Sequence, residues 1–211
     1  MTLFEVGICI AVVMVLIIIF RPVLRSPYRR PSGINCINNL KQVGLAYKIW
    51  AGDNGDVLPM GISATNGGAM EAVYAGNLLQ TFLVMSNELS TPRVLYCPDD
   101  KFRSAAASFM SPVGNNNISY FVGADTTNDM RPQMFLSGDC HFNVSLPAST
   151  ATSVLAAIST NFSVGWNSAR HLGKGNICLA DGSVQQTDSS RLQFFLEQTG
   201  LATNRFVMPF P

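Results

Sequence analysis

Met1-Thr2-Leu3-Phe4-Glu5-Val6 opens the chain, and the fifteen residues from Val6 to Phe20 carry neither a charge nor a strong polar group. The stretch reads as an apolar helix of the membrane-span kind, broken by one carboxylate, Glu5. An ionised carboxylate among lipid tails costs a few kcal/mol and is normally found with a partner. The nearest cation is the α-amino group of Met1, four residues away on the same helix face, or the same amine of a neighbouring copy. As helix, residues 6–20 cover about 22 Å at ~1.5 Å per residue, short of a hydrocarbon core of ~30 Å. A bundle of identical helices suits the segment better than lipid, because Gly7, Cys9 and Ala11 permit close approach. The expectation is a subunit that polymerises, with the bilayer as a holding state.

Charge is distributed unevenly. Residues 6–52 hold six basic side chains and no acid, whereas residues from Asp53 onward hold eight basic and twelve acidic ones. Arg21, Arg25, Arg29 and Arg30 follow the apolar run, and basic residues there would keep that side in the cytoplasm. A polymerising subunit needs its bulk outside, which is consistent with a basic leader removed from ahead of Met1. A basic stalk on a mildly acidic head shows no clustered cationic face for nucleic acid. About 150 residues after the first 55 are enough for a sizeable core.

Pro22, Pro27 and Pro31 fall within ten residues, and an internal proline removes a helix hydrogen bond and clashes with the preceding turn. A kinked or extended joint is therefore expected over roughly 21–32. Ser32 is placed to cap a second helix. Its apolar stripe is Ile34, Ile37, Leu40, Val43, Tyr47 and Trp50, and Gly52 with Asn54-Gly55 ends it. Residues 76–89 read as a shorter helix. Strands are expected at 93–97, 118–122, 134–137 and 153–158, with a hairpin of 177–180 and 183–186 turning on Asp181-Gly182 in a type I′ geometry. The division is a hydrophobic stalk with a proline-rich joint at 1–32 and a head at 33–211. The fold class is α+β, a long N-terminal hydrophobic helix broken near Pro22–Pro31 and packed on an antiparallel sheet.

The residues Met1-Thr2-Leu3-Phe4-Glu5-Val6 before an apolar helix resemble the mature N-terminus of type IV pilins and pseudopilins. Most of the remaining chain is similar to prepilin-like proteins with a C-terminal H-x9-D-G motif. The stretches that carry this are Cys36 with Asn38–Ala46, Asp53-Asn54-Gly55, Leu136–Asp139, His171–Asn176 and Ala180–Gln186. His171, Asp181 and Gly182 hold the motif's own spacing. The resemblance implies a type IV pilin-like fold, processing and N-methylation at Met1 by a prepilin peptidase, and Glu5 paired with a neighbour's N-terminal amine. It implies a homopolymeric extracellular filament at the cell surface, anchored in the inner membrane before assembly by pilus or secretion machinery. It also implies a disulfide between Cys36 on the early helix and Cys97 in a Cys-Pro segment.

Five cysteines in an exported chain leave two disulfides and one remainder. Cys9 in the apolar run is the odd one, which leaves Cys140 and Cys178 as the second pair. His171 and Asp181 would bracket a strand of about 16 Å at ~3.3 Å per residue, too far apart for a base and its orienting carboxylate. His171 is expected instead to cap a loop or bond Asp139 or a carbonyl. No cofactor is expected. Asp125, Asn128 and Asp129, with Asp99-Asp100, are calcium candidates without EF-hand spacing, and zinc and haem motifs are absent. Asn117, Asn143 and Asn161 stand in glycosylation sequons. Two function classes follow: a filament subunit (pilus, or the pseudopilin of a type II secretion system) and a membrane-anchored periplasmic enzyme using His171 and Asp181.

Overall fold

Three strands buried on both faces, Tyr120–Gly123, Phe135–Asp139 and Gly175–Leu179, organise the head. A computed structural model describes residues 3–25, 32–110, 113–128, 130–143 and 153–209, and the chain divides into two compact units, Met1–Pro31 and Ser32–Pro211. In the second unit β1 (Tyr120–Gly123), β2 (Phe135–Asp139), β3 (Ser153–Ser159), β4 (Gly175–Leu179), β5 (Val184–Thr187) and β6 (Thr203–Pro209) form one sheet. Its order is β3-β6-β1-β2-β4-β5, and every pairing is antiparallel. Tyr120, Val122, Leu136, Cys178 and Val207 face one core, and Phe121, Phe135, Ile177, Leu179 and Phe206 face another. Successive strand side chains point to opposite faces, so one sheet serves two cores.

The helix α2 (Ser32–Asp53) covers the first face. Cys36, Leu40, Val43, Tyr47 and Trp50 are buried along it, whereas Ile34 is exposed, so the stripe starts two residues later than expected, at Cys36. Each fully buried side chain of this size stabilises by about 1.5–3 kcal/mol. Gly44 lets the helix approach β4: a Cβ there would lie 2.7 Å from Cys178 Sγ. Three short helices, α3 (Met70–Tyr74), α4 (Leu78–Leu83) and α5 (Ser86–Leu89), extend this core. On the other face lies α6 (Ser189–Gln198), capped by the Asp188 side chain, which accepts from the Arg191 N–H at 2.8 Å, and anchored by Leu192 and Leu196.

The first unit contains α1 (Leu3–Arg25). Described side chains 12–18 are all exposed, a full circuit of the helix, with Val6, Ile8 and Ile10 exposed before them. No helix among the described residues is long and apolar enough to cross a membrane. The expected long hydrophobic helix packed on the head is therefore corrected in two respects. The described apolar side chains of 6–18 span only about 20 Å as helix, against a need of ~30 Å. The helix that packs on the sheet is a separate one, α2, confined to the second unit. The helix also continues past Pro22 to Arg25, so residues 21–25 of the joint expected over roughly 21–32 are helical. Pro27 and Pro31 lie outside the described residues, as do Met1 and Asp129.

Other expectations are revised. Residues 93–97 form no strand: Pro92 seeds a 3₁₀ turn over Pro92–Leu95, and the Thr91 hydroxyl accepts from the Arg93 N–H. The β4–β5 turn is not type I′. Only Gly182 has positive φ (84°), the Gly182 N–H donates to Leu179 O at 2.9 Å, and the Leu179 N–H donates to Ser183 O at 2.9 Å. This is a three-residue loop with a left-handed glycine at its end.

Candidate functional site

His171 occupies a left-handed corner ahead of β4. His171, Leu172 and Gly173 have φ of 49°, 57° and 78°, and the Gly173 N–H donates to Arg170 O at 3.1 Å. Consecutive non-glycine residues in this region cost of order 1–3 kcal/mol each and persist only where the surroundings hold them. Here a buried charged cluster does so. The His171 N–H donates to Asp99 Oδ2 at 2.8 Å, and the ring sits between two carboxylates. Nδ1 is 3.1 Å from Asp99 Oδ2 and Nε2 is 3.4 Å from Asp139 Oδ2. The ring is nearly fully buried, with side-chain exposure of 2%.

Arg170 points inward beside it. Its Nη2 lies 2.7 Å from Asp100 Oδ2 and Nη1 donates to Ser119 O at 3.0 Å, with Asp139 Oδ1 3.9 Å away. Asp100 also takes Arg103 at 3.1 Å and the Ser119 hydroxyl at 2.8 Å. Asp139 Oδ2 accepts from both the backbone N–H and the side-chain amide of Asn176, each at 2.8 Å. His141 Nε2 donates to Lys174 O at 2.8 Å, and its ring stacks near Trp166.

Three carboxylates, Asp99, Asp100 and Asp139, thus meet Arg103, Arg170 and His171. Charge balance requires the imidazolium. Burial alone would lower the His171 pKa, but the hydrogen bond and charge of Asp139, then the charge of Asp99, outweigh it and raise the value. Burial likewise pushes Asp139 up, yet His171, His141 and Arg170 together bring it below the usual carboxylate range. His141 goes the other way: burial dominates and lowers it. Among the buried polar atoms lacking a hydrogen-bond partner, Asp139 Oδ1, His141 Nδ1, Arg170 Nε and Asn176 Oδ1 all belong to this cluster.

The cluster is tied to a disulfide. Cys36 and Cys97 are bonded, with Sγ atoms 2.18 Å apart. Cys97 Sγ lies 3.4 Å from His171 Nε2. The link joins α2 to the Cys97-Pro98-Asp99-Asp100 segment, and Asn39 Nδ2 reinforces it by donating to Tyr96 O at 2.8 Å. No protein-family model, curated protein or solved structure matches this chain. The site therefore stands on its own geometry.

The structure separates several residues that the sequence had associated. His171 precedes β4 and Asp181 follows it; Asp181 Oδ1 accepts from the Ser183 N–H at 2.8 Å, so the motif's two ends do different work. Cys140 and Cys178 are both free, not paired. Cys178 stands opposite Ser137, three residues before Cys140 and hence about 10 Å along the strand. It also packs in the α2 core, whereas Cys140 packs with the other core. Burial pushes the Cys178 thiol up to about 12. The calcium candidate Asp125 gives both carboxylate oxygens to Arg205, Oδ2 to the backbone N–H and Oδ1 to Nε, each at 2.7 Å. Asp99 and Asp100 serve the cluster instead. Of the sequons, Asn117 is engaged in a 3₁₀ cap, its Oδ1 accepting from the Gly114 N–H at 3.0 Å, while Asn143 and Asn161 are exposed.

Arg170, His141 and Asn176 were absent from the sequence-based candidates. An arginine directly before a motif histidine was the available signal for Arg170. Nothing local flags Asn176, whose role depends on the register of β4 against β2.

Proposed function

We propose that this chain is a structural subunit of an extracellular filament of the type IV pilus kind, whose copies associate through residues 3–25. The observation that carries the reading is α1, a helix with described apolar side chains exposed around its full circuit. A helix that is apolar all round is stable in water only when something covers it. The head unit has its own two cores, each already filled by its own helices. Identical helices from other copies supply a cover matched in length and composition, and a bundle of them gives Glu5 a neighbouring N-terminal amine. The His171 cluster supports the structural reading, since its histidine is buried and pairs with Asp99 and Asp139, not with Asp181.

The test places charges on opposite sides of α1, as Val13→Asp and Val15→Lys, beside Glu5→Gln. Filaments sheared from cells should disappear with the first two and become scarce with the third. Head melting should not change. Wild-type filament yield from the two charged variants, or no filament from the parent chain, overturns the proposal.

A further inference from the structure

The disulfide and the histidine beside it form a group with a second use. Cys36 Sγ, Cys97 Sγ and a His171 ring nitrogen all lie within 4.8 Å of one another. In tetrahedral zinc sites, metal–sulfur distances of ~2.3 Å and metal–nitrogen distances of ~2.0–2.1 Å place ligand atoms about 3.5–3.8 Å apart. The Cys97 Sγ to Nε2 distance of 3.4 Å is already of that size. We propose that in the thiol state Cys36, Cys97 and His171 bind a borderline-soft divalent cation such as Zn²⁺, so that the site alternates between a disulfide and a metal.

The surroundings are built for it. A ligating histidine normally donates its other ring N–H to a carboxylate, which fixes the tautomer and strengthens the ligand. Asp99 Oδ2 sits 3.1 Å from Nδ1, leaving Nε2 toward the sulfurs. Asp139 lies next to the ring, with Oδ2 3.4 Å from Nε2, and the fourth position is left to solvent. Three positive-φ residues, His171, Leu172 and Gly173, hold the loop that presents Nε2, and Leu172 at its tip is exposed.

The chemistry balances with a reductant of the dithiol or phosphine class. A dithiol gives two electrons and two protons to the Cys36–Cys97 bond and becomes a disulfide. A phosphine does the same with water and becomes its oxide. The cation then forms two metal–sulfur bonds and one metal–nitrogen bond, and displaces both thiol protons and the Nε2 proton of His171 to solvent. An oxidant of the disulfide class reverses the sequence by thiol–disulfide exchange: it takes two electrons from the two thiolates, leaves as a dithiol after taking up protons, and the metal is expelled. Either state pins α2 to the Cys97 segment, so the head has a cross-link before and after oxidation.

The test uses the full chain and cobalt(II) as the probe. Oxidised protein keeps its remaining cysteines, Cys9, Cys140 and Cys178, and so controls for them. It should show no thiolate-to-cobalt charge-transfer band. Phosphine-reduced protein should take up about one cobalt per chain with tetrahedral d–d bands, and zinc should displace it. Asp99→Asn should keep the bands and weaken affinity by about 10–100-fold. His171→Ala should lose the tetrahedral spectrum, with circular dichroism reporting the fold of each variant. Equal cobalt binding by oxidised and reduced chains overturns the proposal, as does undiminished affinity in reduced His171→Ala. Reduced parent chain that is folded yet binds no cobalt overturns it too. The inference stands apart from filament assembly.

Discussion

At the scale of residues, two histidines about one ring apart respond to pH with opposite sign. His171 has a raised pKa, so its contribution to stability is complete below the unfolded value of ~6.5 and disappears as pH rises through the folded value. His141 has a lowered pKa, so its neutral burial stabilises above ~6.5, and that stability is lost as pH falls toward the folded value. Thermal melting of His171→Gln against the parent should therefore show a larger deficit at about pH 5.5 than at about pH 9. His141→Gln should show the larger relative gain on the acid side. An equal deficit for His171→Gln at both pH values would sink the ion-pair account. Asp139 has the greater stake. Asp139→Ala would strip His171, Arg170 and two Asn176 donors of a buried acceptor at once. Removing one partner of a buried pair costs about 3–5 kcal/mol, and denaturant midpoints at unchanged slope are the measurement. Asp139 as a partner of His171 was legible from the sequence as one option among several. The centre of the cluster was not, because Asp99-Asp100 meets Arg170-His171 only after a cross-link some seventy residues upstream has set the segment in place.

Among elements, the contact of α2 with β4 is the most exacting. Gly44→Ala gains up to about 1 kcal/mol of helix propensity, but its Cβ would stand 2.7 Å from Cys178 Sγ, a short side chain on a central strand. Overpacking of this kind costs about 1–3 kcal/mol, so the net effect should be destabilising. The double variant Gly44→Ala/Cys178→Ala should recover most of the loss, and a double-mutant cycle with no coupling would show that α2 sits farther from β4 than described. The disulfide acts between the same elements. With its cysteines 61 positions apart in sequence, loop-entropy arithmetic gives about 4 kcal/mol. Five of the six expected strands in the head, and α2, were readable because apolar runs and turn residues are local signals. β6 and α6 were not. Thr203–Pro209 closes on Met208-Pro209, and proline is a poor strand residue, yet it is the second strand of the sheet, flanked by β3 and β1. Residues 93–97 failed in the other direction: Val-Leu-Tyr suggests a strand, but Pro92 behind a capping threonine starts a helical turn first.

The whole molecule poses a question of two parts: which one needs the other. Unit 32–211 contains both cores, the six-stranded sheet and the disulfide, and all the core residues among the described ones belong to it. Every element required for a cooperative fold is therefore downstream of Ser32. The apolar surface of α1 is the reverse case, a hydrophobic load without a core of its own. Exposed patches of this extent drive association, and a helix covered only by its copies makes assembly depend on concentration. Deletion of residues 1–31 should then give a head that melts in a single transition within about 3 °C of the intact chain, since ~1 kcal/mol shifts a domain of this size by about 2–4 °C. Analytical ultracentrifugation should find it monomeric, whereas the intact chain should sediment as a distribution that shifts with concentration. A truncated head that is unfolded would mean α1 belongs to the head's core, and one that still forms filaments would move assembly onto the sheet unit. The sequence alone separated the parts at the prolines but joined them again into one long stalk. What it could not encode locally is that Ser32 begins a helix whose partners, β4 and the Cys97 segment, are chosen by the head.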